Sequence, residues 1–347
     1  MTNRRKDAMD FVDRLNYGSR DGQQPHLRQV LPLASDYLRY SVRMKRHFLI
    51  ALLLSFFIPL AVPAQSPQDT KPDDSAAGAR DLTKIFFTVK DKDNHNALVP
   101  DLTKGSFQLS EDGRPQTIKE FGSPATQPLT VGVLVESSGA MQGALSIEKG
   151  AAAEFLRQLL GKPDLAFVIS FDLTVDLLQD LTSDAHLLRE GLDRAHINTR
   201  GGSGRGRILM HDAIYLAADE VLRTQVGRKA LVIFTSGLDY GSKVKLPEVI
   251  ESAQKADTTC YVVFFGRAPL LGARADEVSE ATGGRMFTVN SSEKLMEALT
   301  QISRELRGQY YIGYASDSTA SGGSFRKLDI TSKEGHRVQV RKGYYVR

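Results

Sequence analysis

Apolar positions along this chain fall into two spacings that alternate. Leu129-Thr-Val-Gly-Val-Leu-Val135 is an apolar run broken only by Thr130 and Gly132, and it ends in Glu136-Ser137-Ser138. A short run of this kind predicts a strand buried on both faces that stops at a loop. Leu165–Phe171, Ala230–Thr235 and Thr259–Phe265 read the same way, with Arg285–Val289 as a short edge strand and Val175–Leu178 as a hairpin partner. Between them the spacing changes to the helical one. Helices are predicted over Ser146–Leu160 (Ile147, Ala151, Phe155 and Leu159 inward), Asp184–Asp193, Met210–Arg223 (Ile214, Ala217, Ala218 and Val221 inward), Leu246–Ala256, Ala273–Thr282 and Ser292–Arg307. Strand–helix alternation predicts an α/β fold, a doubly wound and mostly parallel sheet with helices on both faces. Ligands of such sheets bind beyond the carboxyl ends of the strands, so Glu136-Ser137-Ser138 is the first place to look for chemistry.

The pattern changes to strict alternation at both flanks. Ile85–Lys90 is a predicted strand, and Asp91–Asn96 supplies turn residues. Phe107-Gln-Leu and Gln116–Phe121 flank Glu111-Asp-Gly113, a hairpin signal. Gln309–Tyr314, Phe325–Thr331 and Val338–Arg341 alternate likewise, with turns at Ser321–Ser324 and Lys333–Gly335. Neither flank has strands enough to bury a face alone. Both chain ends are therefore expected to pair into a small accessory β-domain, residues 82–127 with 308–347, beside a central domain at 128–307. Tyr310, Tyr311, Tyr314, Tyr344 and Tyr345 are read as strand and core material.

Ahead of these lies a leader. Met44-Lys45-Arg46 opens a positive segment, Phe48–Val62 is apolar, and small residues at Val62 and Ala64 suit a signal peptidase. Residues 44–64 are read as a signal peptide and 65–81 as a flexible Pro/Asp/Ser/Ala-rich linker. Residues 1–43 are read as an extension before the true start at Met44, or as a cytoplasmic tail. The expected destination is the periplasm or the extracellular space. The competing reading is an uncleaved anchor, the only membrane contact envisaged.

Composition removes one class of function. The formal charge of +4 suggests a nucleic-acid partner, but the first 64 residues hold ten Lys/Arg against five Asp/Glu, leaving residues 65–347 at −1. No general footprint for phosphates remains, and no nucleic acid is expected. The one cysteine, Cys260, lies in an apolar strand and reads as a buried, inert thiol. The Asp91/Asp93 pair lacks the glycine and closing glutamate of a calcium loop.

The order of elements resembles a von Willebrand factor type A domain. Three phrases carry the likeness: Val131-Gly-Val-Leu-Val-Glu-Ser-Ser-Gly-Ala-Met141, His211-Asp-Ala-Ile-Tyr-Leu-Ala217 and Ala230-Leu-Val-Ile-Phe-Thr-Ser-Gly-Leu-Asp239. Phe107–Phe121 and Phe325–Tyr345 add a likeness to secreted "VWFA-related" proteins of the acidobacterial type. The resemblance implies a divalent-cation adhesion site, Asp-x-Ser-x-Ser followed by a distant Thr and Asp. Carried over residue by residue, the first Asp becomes Glu136, the first Ser is Ser138, the second becomes Ala140, the Thr becomes Ile208 and the last Asp becomes Ser236. Mg²⁺ and Mn²⁺ want several fixed oxygens, and Ala140 and Ile208 offer none from a side chain. A tight metal is therefore not expected. A weak site using Glu136, Ser138 and backbone oxygens is the remaining alternative, with Ser203 unplaced.

Other chemistries fare worse. Gly201–Arg207 lacks the Gly-Lys-Ser/Thr ending of a phosphate loop, leaving anion binding by Arg205 and Arg207 as a minor reading. Ser138, His211 and Asp212 do not make a hydrolase relay, because neighbours on a helix diverge by ~100°. His211 is expected at the rim and Asp212 is expected to orient a rim loop. The expectation is a non-enzymatic module that binds a protein partner through its rim: Glu136, Ser137, Ser138, Arg207, His211, Asp212, Ser236 and Asp239. The alternatives are a structural or assembly protein of the cell envelope with an inactive rim, and a weak cation-dependent adhesin.

Overall fold

The central sheet is built on β5 (Leu129–Glu136), all eight of whose residues are buried. The computed structural model describes residues 82–94, 97–123, 127–198, 207–266, 269–317 and 322–346. The readings of residues 1–81, of Ser203 and of Arg205 lie outside them.

Six strands make this sheet: β5, β6 (Leu165–Phe171), β7 (Val175–Thr182), β8 (Arg228–Thr235), β9 (Thr258–Phe264) and β10 (Met286–Thr288). Their order is β10-β9-β8-β5-β6-β7, parallel throughout except for β7 at one edge. Helices cover both faces. α1 (Leu145–Leu159), α2 (Ala185–Asp193) and α6 (Ser292–Arg307) share one core with the sheet. α3 (Met210–Leu216), α4 (Leu246–Lys255) and α5 (Pro269–Ala281) share the other. This is the expected doubly wound fold. Gly132 belongs to its packing: a Cβ there would lie 2.3 Å from Phe167 Cζ.

Two details differ from the helical spacing. Ile147 is 48 % exposed, and Glu148 is buried in its place. α1 starts at Leu145, so its inward stripe runs Leu145, Glu148, Ala152, Phe155 and Leu159. One residue of offset rotates a side chain by ~100°. The predicted helix Met210–Arg223 is α-helical only to Leu216, then makes a π turn over Ala217–Val221 and a 3-10 turn over Leu222–Thr224.

Both chain ends pair with each other. One four-stranded sheet has the order β13-β1-β11-β4, from β1 (Thr83–Lys90), β4 (Ile118–Gly122), β11 (Tyr310–Tyr314) and β13 (Arg337–Val340). The other has the order β14-β12-β2-β3, from β2 (Phe107–Glu111), β3 (Arg114–Gln116), β12 (Phe325–Ser332) and β14 (Gly343–Tyr345). The segment read as one return strand is thus two. β3 closes the Asp112-Gly113 hairpin as an edge strand, where Pro115 omits no needed donor, and β4 crosses to the other sheet. Phe87, Phe107, Tyr310 and Leu328 belong to the single core between the sheets. Tyr314 and Tyr344 also reach inward, and both donate to the buried carboxylate of Glu111.

The β-domain is tied to the α/β domain by a buried charge cluster. Lys90 Nζ lies 2.9 Å from Glu305 Oε1 on α6, and Arg285 reaches the same oxygen at 2.5 Å. Gln339 of β13 donates to the other oxygen at 3.3 Å.

Candidate functional site at the sheet rim

β5 delivers Glu136 to the carboxyl edge of the sheet, between the ends of β6 and β8. The chain then turns through a 3-10 segment, Gly139–Met141, capped by Ser138, whose hydroxyl accepts from Ala140 N. The same hydroxyl donates to Glu136 Oε1 at 2.5 Å. From β8, Thr235 Oγ1 donates to Glu136 Oε2 at 2.8 Å and Ser236 N donates to it at 2.7 Å. Ser236 Oγ lies 2.9 and 3.0 Å from the two oxygens. A carboxylate offers about four lone-pair sites, and three hydroxyls and one amide approach them. Glu136 itself is fully buried.

The backbone oxygens around this carboxylate also have partners. Ser137 O accepts from Asn198 N, Ser138 O from Met141 N, and Ile208 O from Tyr240 N. Ile208 and Tyr240 form a small antiparallel bridge that joins two rim loops. The position where the resemblance implies a threonine ligand is therefore a buried aliphatic anchor for a loop. Ala140 is exposed and carries no oxygen on its side chain.

The other predicted rim residues split into separate groups. Ser137 donates to Asp172 at 3.0 Å, just past the end of β6. Asp239 accepts from His211 N at 3.0 Å and Ser242 Oγ at 2.6 Å, and its other oxygen is 3.4 Å from His211 Nδ1. Asp212 takes a different direction, accepting at one oxygen from Lys243 N and Val244 N, both at 2.9 Å. Burial raises the Asp212 carboxyl above the usual range. Arg207 donates to Gly241 O at 3.0 Å. No serine–histidine–carboxylate relay results: Ser138 faces Glu136, whereas His211 faces Asp239. Gly237, with φ +79°, lets the loop after β8 pass close to α5, since a Cβ there would lie 2.6 Å from Leu271 O.

Three participants escape a reading of the sequence. Thr235 and Asp172 sit at the last or next residue of a strand, where a carboxyl or hydroxyl at the sheet edge is the only signal. Glu148 is the third. Its two oxygens have no hydrogen-bond partner among the described residues. Burial, and then the charge of Glu136, push its carboxyl up to about 9. The signal was a glutamate three residues after Leu145 and four before Ala152, on the inward stripe. Among the described residues no group of three or more His, Cys, Asp or Glu side chains is placed to hold a metal ion. Cys260 is fully buried, and burial raises its thiol to about 12.

Neither a family model nor a curated protein matches the sequence. Solved structures do. A von Willebrand factor type A structure from Catenulispora acidiphila is similar over 77% of this chain and 74% of its own, with 12% identity and a TM-score of 0.46. BatB from Bacteroides thetaiotaomicron is similar over 52% of this chain and 99% of its own, with 15% identity and a TM-score of 0.43. An aerotolerance-related membrane protein from Bacteroides fragilis is similar over 51% of this chain and 98% of its own, with 16% identity and a TM-score of 0.40. The fold described above rests on strand order and helix layers, and these likenesses add nothing about function.

Proposed function

We propose that this chain is an exported, non-enzymatic protein-binding module that presents its sheet-edge loops to a protein partner without a resident divalent cation. The observation that carries the reading is the engagement of the rim carboxylates. Glu136, Asp172, Asp212 and Asp239 are each turned onto a hydroxyl or backbone amide of a rim loop. Groups that would ligate a metal or move protons are thus used to hold loops in place, and a rigid surface remains. The residues do not fit the cation implied by the resemblance. The one carboxylate at that place is occupied by four donors, and Ala140 and Ile208 supply no side-chain oxygen. Export rests on the leader pattern of Lys45, Arg46, Phe48–Val62 and Ala64.

The test is capture of a partner from the producing cell's envelope fraction, with the full chain as bait. Exchange of the exposed Tyr240 side chain for serine, which leaves Tyr240 N and O bonded to Ile208 and Asp239 in place, is expected to abolish capture while the melting temperature holds. Capture that survives the exchange would overturn the rim reading and favour a structural role for the β-domain.

A further inference from the structure

We infer that the cleft between the β-domain and the amino-terminal edge of the central sheet, opposite the rim, binds a small tetrahedral oxyanion of the phosphate or sulfate class. The starting point is a buried cation without a counter-charge. Arg228, the first residue of β8, is 3 % exposed. Its Nη1 donates to Leu306 O at the end of α6 at 2.5 Å, and its Nη2 donates to Gln127 O at 3.2 Å. Its Nε is buried and has no hydrogen-bond partner among the described residues. Asp164 is the acid whose charge acts on it, but Asp164 already pairs with Arg307 at 2.6 Å. Burial, and then the charge of Arg307, lower the Arg228 pKa. A guanidinium nevertheless keeps its proton, so it does not escape the cost of burial by turning neutral. Carbonyls at a helix end complete its hydrogen bonds but bring only partial charge.

The cleft beside Arg228 supplies room and further donors. Lys229 of β8, Lys84 of β1, Gln309 ahead of β11 and Arg341 after β13 line it with Arg228. Space of ≈ 20 Å³ is open to the centre of a water-sized sphere. A compact region of that size takes in the oxygens of one tetrahedral oxyanion, each about as large as a water. Arg341 Nε and Gln309 Oε1 are also buried without a hydrogen-bond partner among the described residues. The Gln309 amide can turn its N–H side to an anion. The acids of this region are matched by other cations. Asp257 lines the cleft and pairs with Arg341, and Glu120 pairs with Lys84 at 3.2 Å. With Asp164 set against Arg307, the charge of Arg228 is left uncancelled among the described residues. Lys229, which donates to Gln225 O at 3.3 Å, adds an ammonium to the same wall. An oxyanion held there supplies the missing counter-charge and joins the β-domain to the sheet.

The experiment is thermal melting of the full chain with sodium phosphate or sodium sulfate, each against sodium chloride at equal ionic strength. The salts are kept at a few millimolar, too dilute to act through exclusion from the protein surface. Both oxyanions are expected to raise the melting temperature by about 3 °C or more, since a ligand of the folded state stabilises by mass action. Arg228→Gln should lose that rise. Gln309→Glu keeps the side-chain volume and places a carboxylate in the same cleft. It should melt above the parent without added oxyanion and lose most of the rise with it, so it decides the matter if Arg228→Gln does not fold. No rise in the parent, an equal rise with chloride, or a rise that Gln309→Glu keeps in full would overturn the inference. The carbonyls of Leu306 and Gln127 would then be enough for Arg228.

Discussion

Two of the buried glutamates, Glu305 and Glu136, lie at different places and are compensated by different means. Glu305, beside the entry to β10, is met by Lys90, Arg285 and Gln339. Glu136, at the exit of β5, is met among the described residues by four hydrogen-bond donors and by no cation. The difference is one of purpose. An ion pair in a dry interior holds two bodies together and is costly to break on one side. A carboxylate saturated by hydroxyls and an amide fixes loops locally and leaves nothing to offer a ligand. The junction is thus held by charge, and the rim is held by hydrogen bonds.

The largest effect should come from breaking the junction. Glu305→Ala leaves the Lys90 ammonium buried without its carboxylate, and burial already lowers the Lys90 pKa, with Glu305 pulling it back up. Loss of one partner of a buried pair costs about 3–5 kcal/mol. Urea denaturation of the full chain should show that loss, and a change below about 1 kcal/mol would mean that the pair is not buried in solution.

Next comes Glu148, which shares the rim's interior with Glu136 and has no hydrogen-bond partner among the described residues. Its pKa is raised to about 9 in the fold from 4.5 unfolded, so folding takes up a proton between these values. Stability of the parent therefore falls as pH rises from about 4.5 toward 9, and the penalty is absent below 4.5. Glu148→Gln removes this dependence. The stability difference between variant and parent should move by about 3 kcal/mol in the variant's favour from pH 4.5 to pH 7. Equal differences at both pH values would show that Glu148 ionises freely.

Glu136→Gln is the smaller companion. The amide keeps the volume and turns two acceptor sites into donors, facing Thr235 Oγ1 and Ser236 N or Ser138 Oγ. The hydroxyls of Ser138 and Ser236 can turn round to accept from the amide, so the cost is that of a weaker, uncharged acceptor and should be about 1 kcal/mol. A neutral result would mean that the four-donor cradle is not maintained in solution.

These residues also show what spacing along the chain can reveal. β5 and α6 were legible because each depends on its own local pattern. The absence of oxygens at Ala140 and Ile208 was equally plain. The cradle around Glu136 was not, because Thr235 and Ser236 lie 99 and 100 residues away and only the pairing of β5 with β8 brings them in. Ile147 is read as inward, and Glu148 goes unread, for a different reason. An isoleucine and a glutamate side by side invite the apolar one to be turned inward, and the start of α1 at Leu145 decides otherwise. The separation of β3 from β4 depends on a crossover between sheets, which no local pattern near Thr117 encodes.

The smallest expected effect is the most direct probe of the rim. A ligand that binds only the folded state at a hundred times its dissociation constant adds about 2.7 kcal/mol of stability, which corresponds to several degrees in melting temperature. Saturating MgCl₂ or MnCl₂, with EDTA as reversal, should therefore leave the melting temperature of the full chain unchanged. A reversible rise would show that a cation can displace the hydroxyls of Ser138, Thr235 and Ser236 from Glu136. The converse substitution sharpens the point. Glu136→Asp combined with Ala140→Ser, Ile208→Thr and Ser236→Asp supplies the two carboxylates and the two hydroxyl oxygens that the resemblance implies. The shorter aspartate draws the carboxylate back from β8, so the donors that now saturate it are released for water or metal. An EDTA-sensitive rise in that variant alone would show that these four positions decide whether the rim binds a cation.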